Sequence, residues 1–344
     1  MGREFTTNPE RLVIGGQQRF GTFAEPLQAI NLLDSVITSP LPNSLRPLRL
    51  KEWQSMQVIN ERWFGIVSIF DAKIMALVQA KFYDRETGQK YVYERKVRTT
   101  SITHASTMLD SECSYDKRGV MVRFDNHLEA DSVRLSIHLP AEGAMPAIVG
   151  SWDATMMRGS LHVGSWPFGR GRGAVSHKGM MSVSGALQIG DQEVTFSPGS
   201  SVAFLDHHKG FYPYVMRWDW VTVGGVRDGQ SLGVNLTNND GLQADRYNEN
   251  VLWVDGEPTL LPPVSFERDD SVSPEVWSVR DVDGLIDVTF TVELDGRYEV
   301  NALIIKSKYR GPFGRFSGTV TAHDGTVVSL DGLFGMGEAF YLRA

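Results

Sequence analysis

The sequence predicts an all-β fold built from antiparallel barrels or sandwiches. Three observations predict it: short segments in which hydrophobic and polar residues alternate, Asp-Gly pairs between those segments, and the lack of a sustained helical period. The 34 glycines among 344 residues suit a chain that turns often. Because no helical segment separates consecutive strands, antiparallel pairing is favoured over a parallel sheet with crossover helices.

Residues 1–45 are predicted to be an irregular lead-in that covers one end of a barrel, because glycines and prolines interrupt them. A short helix is expected within residues 20–33. The first strands are predicted at 50–58, 63–70, 76–82 and 91–95, and the turn from Arg85 to Gly88 joins the last two into a hairpin.

Later segments keep the period of two that is typical of half-buried strands. They are residues 120–124, 132–139, 186–189, 232–236, 250–254, 288–292, 302–306 and 318–322. Asp-Gly pairs begin at residues 255, 283, 295, 324 and 331, and such a pair between apolar segments is a strong hairpin signal.

The glycine- and arginine-rich stretch 164–179 is the predicted division between two halves. It gives an N-terminal domain at 46–175 and a C-terminal domain at 176–344, after the lead-in at 1–45. The stretch lacks the Gly-Lys-Ser/Thr ending of a P-loop, so we interpret it as a flexible loop or lid.

Composition excludes some classes of partner. The net charge of −7 and the pI near 5.7 predict no general attraction to nucleic acid or to an anionic membrane. No segment approaches the roughly 18 apolar residues of a spanning helix, so no integral membrane association is expected. The single cysteine, Cys113, excludes an internal disulfide and favours a reducing compartment. We expect a soluble cytoplasmic protein whose oligomeric state the sequence leaves open.

Residues 204–220 are the candidate site, because ionisable and aromatic side chains are most concentrated there. This mixture is typical of an apolar pocket with a few polar groups. Asp206 and His208 are the catalytic candidates, since a carboxylate beside an imidazole suits general acid–base chemistry. Because strand residues alternate between faces, Asp206 shares a face with His208, and His207 shares the other with Lys209. The alternative is a turn residue beside surface histidines.

The substrate-binding candidates surround this pair. Alternation over 217–220 places two tryptophans on one face, and on the other face an arginine and an aspartate that can bind an oxygenated ligand. The alternative is a core tryptophan pair with an outward ion pair. The polar run from 235 to 250 is typical of a solvated loop, although its end can reach the pocket mouth. The candidates are His207, Lys209, Tyr212, Tyr214, Arg217, Trp218, Asp219, Trp220, Asn235, Asn248 and Glu249. This run lacks an EF-hand pattern, so no metal is expected, and no cofactor is expected either.

The motifs resemble those of an uncharacterised bacterial family, domain of unknown function 2804, over most of the chain. Its Asp-x-x-(Arg/Lys)-Gly-x-x-Pro pattern followed by Trp-x-Trp is met by Asp206, Lys209, Gly210, Pro213, Trp218 and Trp220. Further matches are Gly233 to Leu236, Glu249–Asn250, Val254 to Gly256, Phe313 to Thr319 and Asp331 to Gly335. The chain departs from the family at His207 and His208 and in the basic stretch 164–179.

This family is similar in fold to lipocalin-like proteins that include carotenoid hydratases, kievitone hydratase, tocopherol cyclase and some Diels-Alderases. The resemblance implies two packed lipocalin-like β-barrel domains that bind a bulky apolar substrate between them. We therefore expect a cofactor-independent lyase or isomerase, of the hydratase or cyclase type, acting on a small apolar molecule such as an isoprenoid or lipid. One alternative is a non-catalytic lipid or isoprenoid carrier. Another is a carbohydrate-active protein that uses Asp206 and Asp219.

Overall fold

A computed structural model describes residues 3–39, 42–302 and 305–343, and most of these residues lie in β-strands, which confirms the predicted all-β class. Helical structure in the described residues is limited to short 3-10 helices at Leu32–Asp34, Asn43–Arg49, Thr99–Ser101 and Leu128–Ala130. The helix expected within 20–33 is wrong for most of that range, and only the 3-10 helix at Leu32–Asp34 overlaps its end. Its first part is the strand Gly21–Phe23, and Pro26 interrupts the remainder, since proline lacks a backbone donor and disfavours helix before it.

The first large sheet follows a small hairpin of β1 and β2, at Val13–Ile14 and Gln17–Gln18. Its fourteen described strands, β3 to β16, are Gly21–Phe23, Lys51–Asn60, Trp63–Asp71, Ala76–Asp84, Lys90–Val97, Ile102–Thr103, Ser111–Lys117, Val120–His127, Ser132–Leu139, Ile148–Met156, His162–Gly169, Arg172–Ile189, Gln192–Phe196 and Ser201–Gly210. They are antiparallel, in the order β7-β6-β5-β4-β16-β14-β12-β11-β10-β9-β8, with β13 and β15 also paired to β14 and β3 paired to β13.

The second sheet contains twelve described strands, β17 to β28, at Val215–Arg227, Gln230–Asn239, Val251–Val254, Glu257–Leu260, Ser265–Asp269, Val276–Arg280, Ile286–Leu294, Arg297–Ala302, Ile305–Arg310, Phe313–Thr321, Val327–Ser329 and Phe334–Arg343. Their order is β20-β19-β18-β17-β28-β26-β23-β22-β21, with β25 paired to β24 and β28, and β27 paired to β26. The strand predicted at 302–306 includes residues 303 and 304, which lie outside the described residues. Each sheet curls into a half-barrel around its own apolar core.

The chain passes from the first sheet to the second at residues 211–214. The predicted boundary at 175/176 lies inside β14, an 18-residue strand of the first sheet. The stretch 164–179 is the hairpin of β13 and β14 and not a flexible loop or lid. Its turn places Arg170 and Gly171 at φ values of 55° and 72°. A Cβ at Gly171 would lie 2.1 Å from the carbonyl oxygen of Val36, so glycine here permits a tight turn and a close contact.

The two half-barrels share a third apolar core. Phe204 of the first sheet packs near Trp253 of the second, and Phe64 near Phe334, with ring centres 5.9 and 5.8 Å apart. The lead-in crosses the same junction, because the Arg3 guanidinium donates a 2.8 Å hydrogen bond to the carbonyl oxygen of Asn248 while β3 pairs with β13. These contacts hold the facing walls of the two sheets together.

Candidate functional site

A cavity of about 170 Å³ lies between the two half-barrels. Strands β4, β5, β6, β14 and β16 supply one wall, and β17, β18 and β28 supply much of the other. The lining is mostly apolar and aromatic, as expected for a small-molecule pocket. Its rings are Trp53, Phe70, Trp166, Phe168, Tyr212, Trp218, Trp220, Tyr309 and Phe340.

Asp206 projects from β16 into this cavity and is only 8% exposed. The register places Lys178 of β14 and Ser55 of β4 directly across from it on the two neighbouring strands. The Lys178 ammonium donates to the Asp206 carboxylate, and Ser55 Oγ lies 3.4 Å from its second oxygen. His208 Nε2 lies 2.8 Å from Oδ1 of the same carboxylate. Asp206 therefore joins a lysine and a histidine at one point of the wall.

The His208 ring is held on several sides. Trp53 stacks on it with ring centres 4.3 Å apart and an angle of 16°. Glu249 Oε1 lies 3.3 Å from Nε2, and the Tyr212 hydroxyl lies 3.5 Å from Nδ1. The imidazole thus has carboxylates at one nitrogen, a phenol at the other and an indole on its face.

Asp206 and Lys178 stabilise each other in their charged forms. Burial raises the pKa of Asp206, but the positive charge of Lys178 and the His208 ring outweigh burial and hold that pKa well below its usual range. Burial lowers the pKa of Lys178, but Asp206 and Glu249 together raise it above its usual value. At neutral pH the site therefore contains a fixed carboxylate and a fixed ammonium.

A second acid, Glu338 of β28, lines the same cavity. Trp218 Nε1 donates to Glu338 Oε2 at 3.0 Å, and the Tyr309 hydroxyl donates to Oε1 at 2.8 Å. Burial is the largest influence on Glu338 and raises its pKa above the usual value, although these hydrogen bonds and Lys81 act in the opposite direction. Two acids in one cavity thus have pKa values shifted in opposite directions.

Seven of the predicted site residues line the cavity: Asp206, His208, Tyr212, Arg217, Trp218, Trp220 and Glu249. Asp206 faces the same hollow as Tyr212, Trp218 and Trp220, whereas Tyr214 does not, and Asp206 and His208 share a face as expected. Their catalytic and binding roles remain predictions.

His207 and Lys209 do not line the cavity, because alternation along β16 turns them into the first half-barrel. Lys209 Nζ lies 2.9 Å from Glu52 Oε2. The His207 ring centre lies 5.5 Å from that of His177. The structure therefore does not bring these two candidates into contact with a ligand in the cavity.

Asp219 lines a shallow groove of about 490 Å³ beside the cavity, where Arg268 forms an ion pair with it. Asp206 and Asp219 thus face different spaces, and the acid pair that the carbohydrate-active alternative needs is not assembled. Tyr214 lies outside the lining and is 48% exposed.

Asn235 and Asn248 support the site from outside the lining. Asn235 accepts a 2.7 Å hydrogen bond from Trp220 Nε1 and donates one of 2.7 Å to the Glu249 carbonyl. Asn248 donates to the Ala244 carbonyl at 2.8 Å. The first amide therefore positions two residues of the cavity, and the second anchors the preceding loop.

The sequence did not single out Glu338, Lys178, Trp53 or Tyr309 for the site. Glu338 stands between Met336 and Phe340 in an alternating segment, which is a signal for a polar group on an inward face. That signal was insufficient without the pairing of β17 and β28, which sets Glu338 across from Trp220.

Among the described residues, no three His, Cys, Asp or Glu side chains are grouped so that they can hold a metal ion. In the same part of the chain, no helix has the length and hydropathy needed to cross a membrane.

The motif resemblance is confirmed, because a family model described as domain of unknown function (DUF2804) matches residues 3–343. A comparison with curated proteins finds no match. Among solved structures, the chain is similar to the crystal structure of CghA with Sch210972, with 11% identity, a TM-score of 0.53, and 98% and 97% of the two chains covered. It is also similar to kievitone hydratase from Nectria haematococca, with 13% identity, a TM-score of 0.45, and 94% and 98% covered. At such identity the CghA structure supports the fold alone.

Proposed function

We propose that the chain, which belongs to the DUF2804 family, is a lyase or isomerase that moves protons on a bulky apolar substrate held between its half-barrels. The reaction is of the hydratase or cyclase type and acts at a carbon–carbon double bond. The lining of aromatic rings suits an isoprenoid-like or lipid-like body, which is the same substrate class that the motifs indicated.

The observation that carries the proposal is the pair of acids with opposite pKa shifts in one apolar cavity. Such pairs separate the roles of acid and base, because one group keeps its proton and the other stays ionised. Glu338, whose pKa burial raises, is the proton donor. Asp206 stays ionised and orients His208, which is the base.

The proposed reaction begins when Glu338 donates its proton to one carbon of the double bond. The electron pair of that bond forms the new C–H bond and leaves a positive charge on the second carbon. The aromatic rings that line the cavity stabilise this cation, and the mostly apolar walls limit its capture by solvent.

His208 completes the reaction by accepting a proton. In an isomerase or cyclase the proton comes from a carbon atom, a new double bond forms, and the product has the mass of the substrate. In a hydratase the proton comes from a water molecule that adds to the cation, and the product is heavier by one water. In both cases Glu338 regains a proton from His208 or solvent, so no redox partner is needed.

The test uses the ligand that copurifies with the protein. Ligands are extracted from the wild type and from Glu338→Gln and compared by chromatography and mass spectrometry. We expect the variant to retain unreacted substrate, which added wild type converts to a compound of equal mass or of one added water. Glu338→Gln should lower this turnover at least about 100-fold, the usual contribution of a general acid.

Glu142→Gln is the matched control, since Glu142 is 66% exposed and lies outside the cavity. It should convert the ligand at the wild-type rate. Equal turnover by Glu338→Gln and wild type would show that Glu338 is not the proton donor. Recovery of one unchanged ligand from every variant and from wild type would instead establish a carrier.

A further inference from the structure

Four basic side chains meet at one end of the first sheet. Arg49 ends the 3-10 helix before β4, Lys51 begins β4, Arg170 lies in the β13–β14 turn, and Arg172 begins β14. Strand pairing brings them together, because the first residues of β4 and the beginning of β14 lie on either side of Gly210, the last residue of β16. Residues far apart in sequence thus form one cationic cluster.

Lys51 is the buried member of this cluster and is 4% exposed. No hydrogen-bond or ion-pair partner of its ammonium is found in the described part of the chain. Burial, and then the charge of Arg49, lowers its pKa to about 8, while Asp71 acts in the opposite direction. Asp71 is already bound by Lys73 at 2.8 Å and His104 at 2.7 Å. The structure thus holds a buried cation without a counter-ion of its own.

The three arginines add positive charge to the cluster, and no carboxylate of the described residues pairs with them. Within the described residues Arg49, Arg170 and Arg172 form no ion pair, and the Nε of Arg172 is buried with no hydrogen-bond acceptor. Burial, and then the charges of Arg49 and Arg170, lower the pKa of Arg172. An exposed arginine is ordinarily satisfied by water, but the buried Nε of Arg172 is not. In a chain of net charge −7, this cluster is a local site for an anion.

The cluster adjoins the cavity. Lys51 lies on the same face of β4 as Trp53, which lines the cavity, and residues two apart on a strand are separated by about 7 Å. Gly210, across from Lys51, presents no side chain. A Cβ there would lie 2.7 Å from Ala174 Cβ and 2.8 Å from Cε2 of Tyr212, another cavity residue. None of the four basic residues lines the cavity itself, so a ligand that contacts both the cationic cluster and the rings must extend past Trp53 or Tyr212.

We propose that Arg49, Lys51, Arg170 and Arg172 bind the phosphate or carboxylate group of an amphipathic ligand whose apolar part occupies the cavity. The planar guanidinium groups of the arginines can each donate two hydrogen bonds to a phosphate or a carboxylate. Lys51 adds a positive charge at the buried side of the cluster. The apolar half of this inference rests on the proposed function, whereas the anion site stands on the cationic cluster alone.

The test compares dodecyl phosphate, dodecanol and inorganic phosphate by calorimetric titration and by quenching of the cavity tryptophans. For the wild type we expect dodecyl phosphate to bind at least ten-fold more tightly than either of the other two. Lys51→Met and Arg172→Gln should each remove most of the advantage over dodecanol. Arg118→Gln is the control, because Arg118 lies in the β9–β10 turn, at the opposite end of the first sheet.

Equal affinity of wild type and both variants for dodecyl phosphate would overturn the anion site, even if dodecanol binds and the apolar cavity is supported. Inorganic phosphate that binds as tightly as dodecyl phosphate would overturn the amphipathic ligand and count against the proposed function, while leaving an anion site for a free ion. Circular dichroism and thermal unfolding of each variant check that the fold is retained, and Arg172→Gln serves if Lys51→Met is unfolded.

Discussion

Burial disfavours the charged forms of Asp206, Glu338 and Lys51 alike, but their neighbours lead to three different results. Asp206 has Lys178 and His208 beside it and stays ionised. Glu338 has two neutral hydrogen-bond donors and keeps a raised pKa. Lys51 has another cation nearby, and its pKa falls to about 8. The protonation state of each buried group therefore depends on the charged or hydrogen-bonding neighbour beside it.

We expect Lys51→Met to stabilise the protein at pH 7. The folded-state pKa of about 8 is below the ordinary 10.5, so the unfolded chain binds this proton more strongly and the wild-type free energy of unfolding rises as the pH increases from about 8 to 10.5. Removing the charge should therefore add up to about 3 kcal/mol at pH 7, and the gain should disappear above pH 10.5.

Urea unfolding of wild type and Lys51→Met at several pH values measures this difference. Arg118→Gln, at the other end of the sheet, should leave the unfolding free energy unchanged. A less stable Lys51→Met at pH 7 would mean that the ammonium has a stabilising partner in the folded protein.

The junction of the half-barrels depends on a glycine of β18, Gly233, that faces Phe204 of β16. A Cβ at Gly233 would lie 2.5 Å from Cε1 of Phe204 and 2.8 Å from its Cζ. Glycine is therefore needed here for close approach, and this contact seats the second sheet against the strand that carries Asp206 and His208. The packing of β18 against β16 thus sets the distance between the two walls of the cavity.

Gly233→Ala should destabilise the protein by about 1–3 kcal/mol, because the added methyl group overlaps the Phe204 ring. The loss should be smaller when Phe204→Leu is also present, and a double-mutant cycle from urea unfolding measures the coupling. Gly225→Ala is the matched control, since a Cβ there meets only Leu333 Cδ2 at 3.2 Å. An equal effect of Gly233→Ala in both backgrounds would contradict the contact.

The whole molecule consists of two half-barrels that are joined by a shared apolar core and by hydrogen bonds across their junction. A shared core joins the sheets, Trp253 Nε1 donates to the Ser160 carbonyl at 2.7 Å, and the Arg3 side chain bonds across the junction. Because the cavity is lined by both sheets, separating them would dismantle the candidate site.

We therefore expect a single cooperative unfolding transition. Calorimetric and van't Hoff enthalpies should agree, and the near- and far-ultraviolet circular dichroism curves should coincide. Phe204→Leu should move the whole transition to lower temperature without dividing it. Two separate transitions in the wild type would show that the half-barrels unfold independently.

The parts of the fold that could be predicted from sequence are those that depend on interactions between residues close together in the chain. Strand alternation and Asp-Gly turns act over a few residues, so the all-β class and most strands could be predicted. The boundary at 175/176 was drawn from the glycine-rich stretch 164–179, because glycines mark turns, but they do not show to which sheet the flanking strands belong.

By itself the sequence determined the fold class, the family, and two shared faces, one of Asp206 with His208 and one of Trp218 with Trp220, because residues two apart on one strand share a side. Only the tertiary structure decided that Glu338, Lys178 and Trp53 join them, and that Lys51 meets three arginines. Those contacts depend on which distant strands pair and in what register, and that choice is made by packing of the complete sheets.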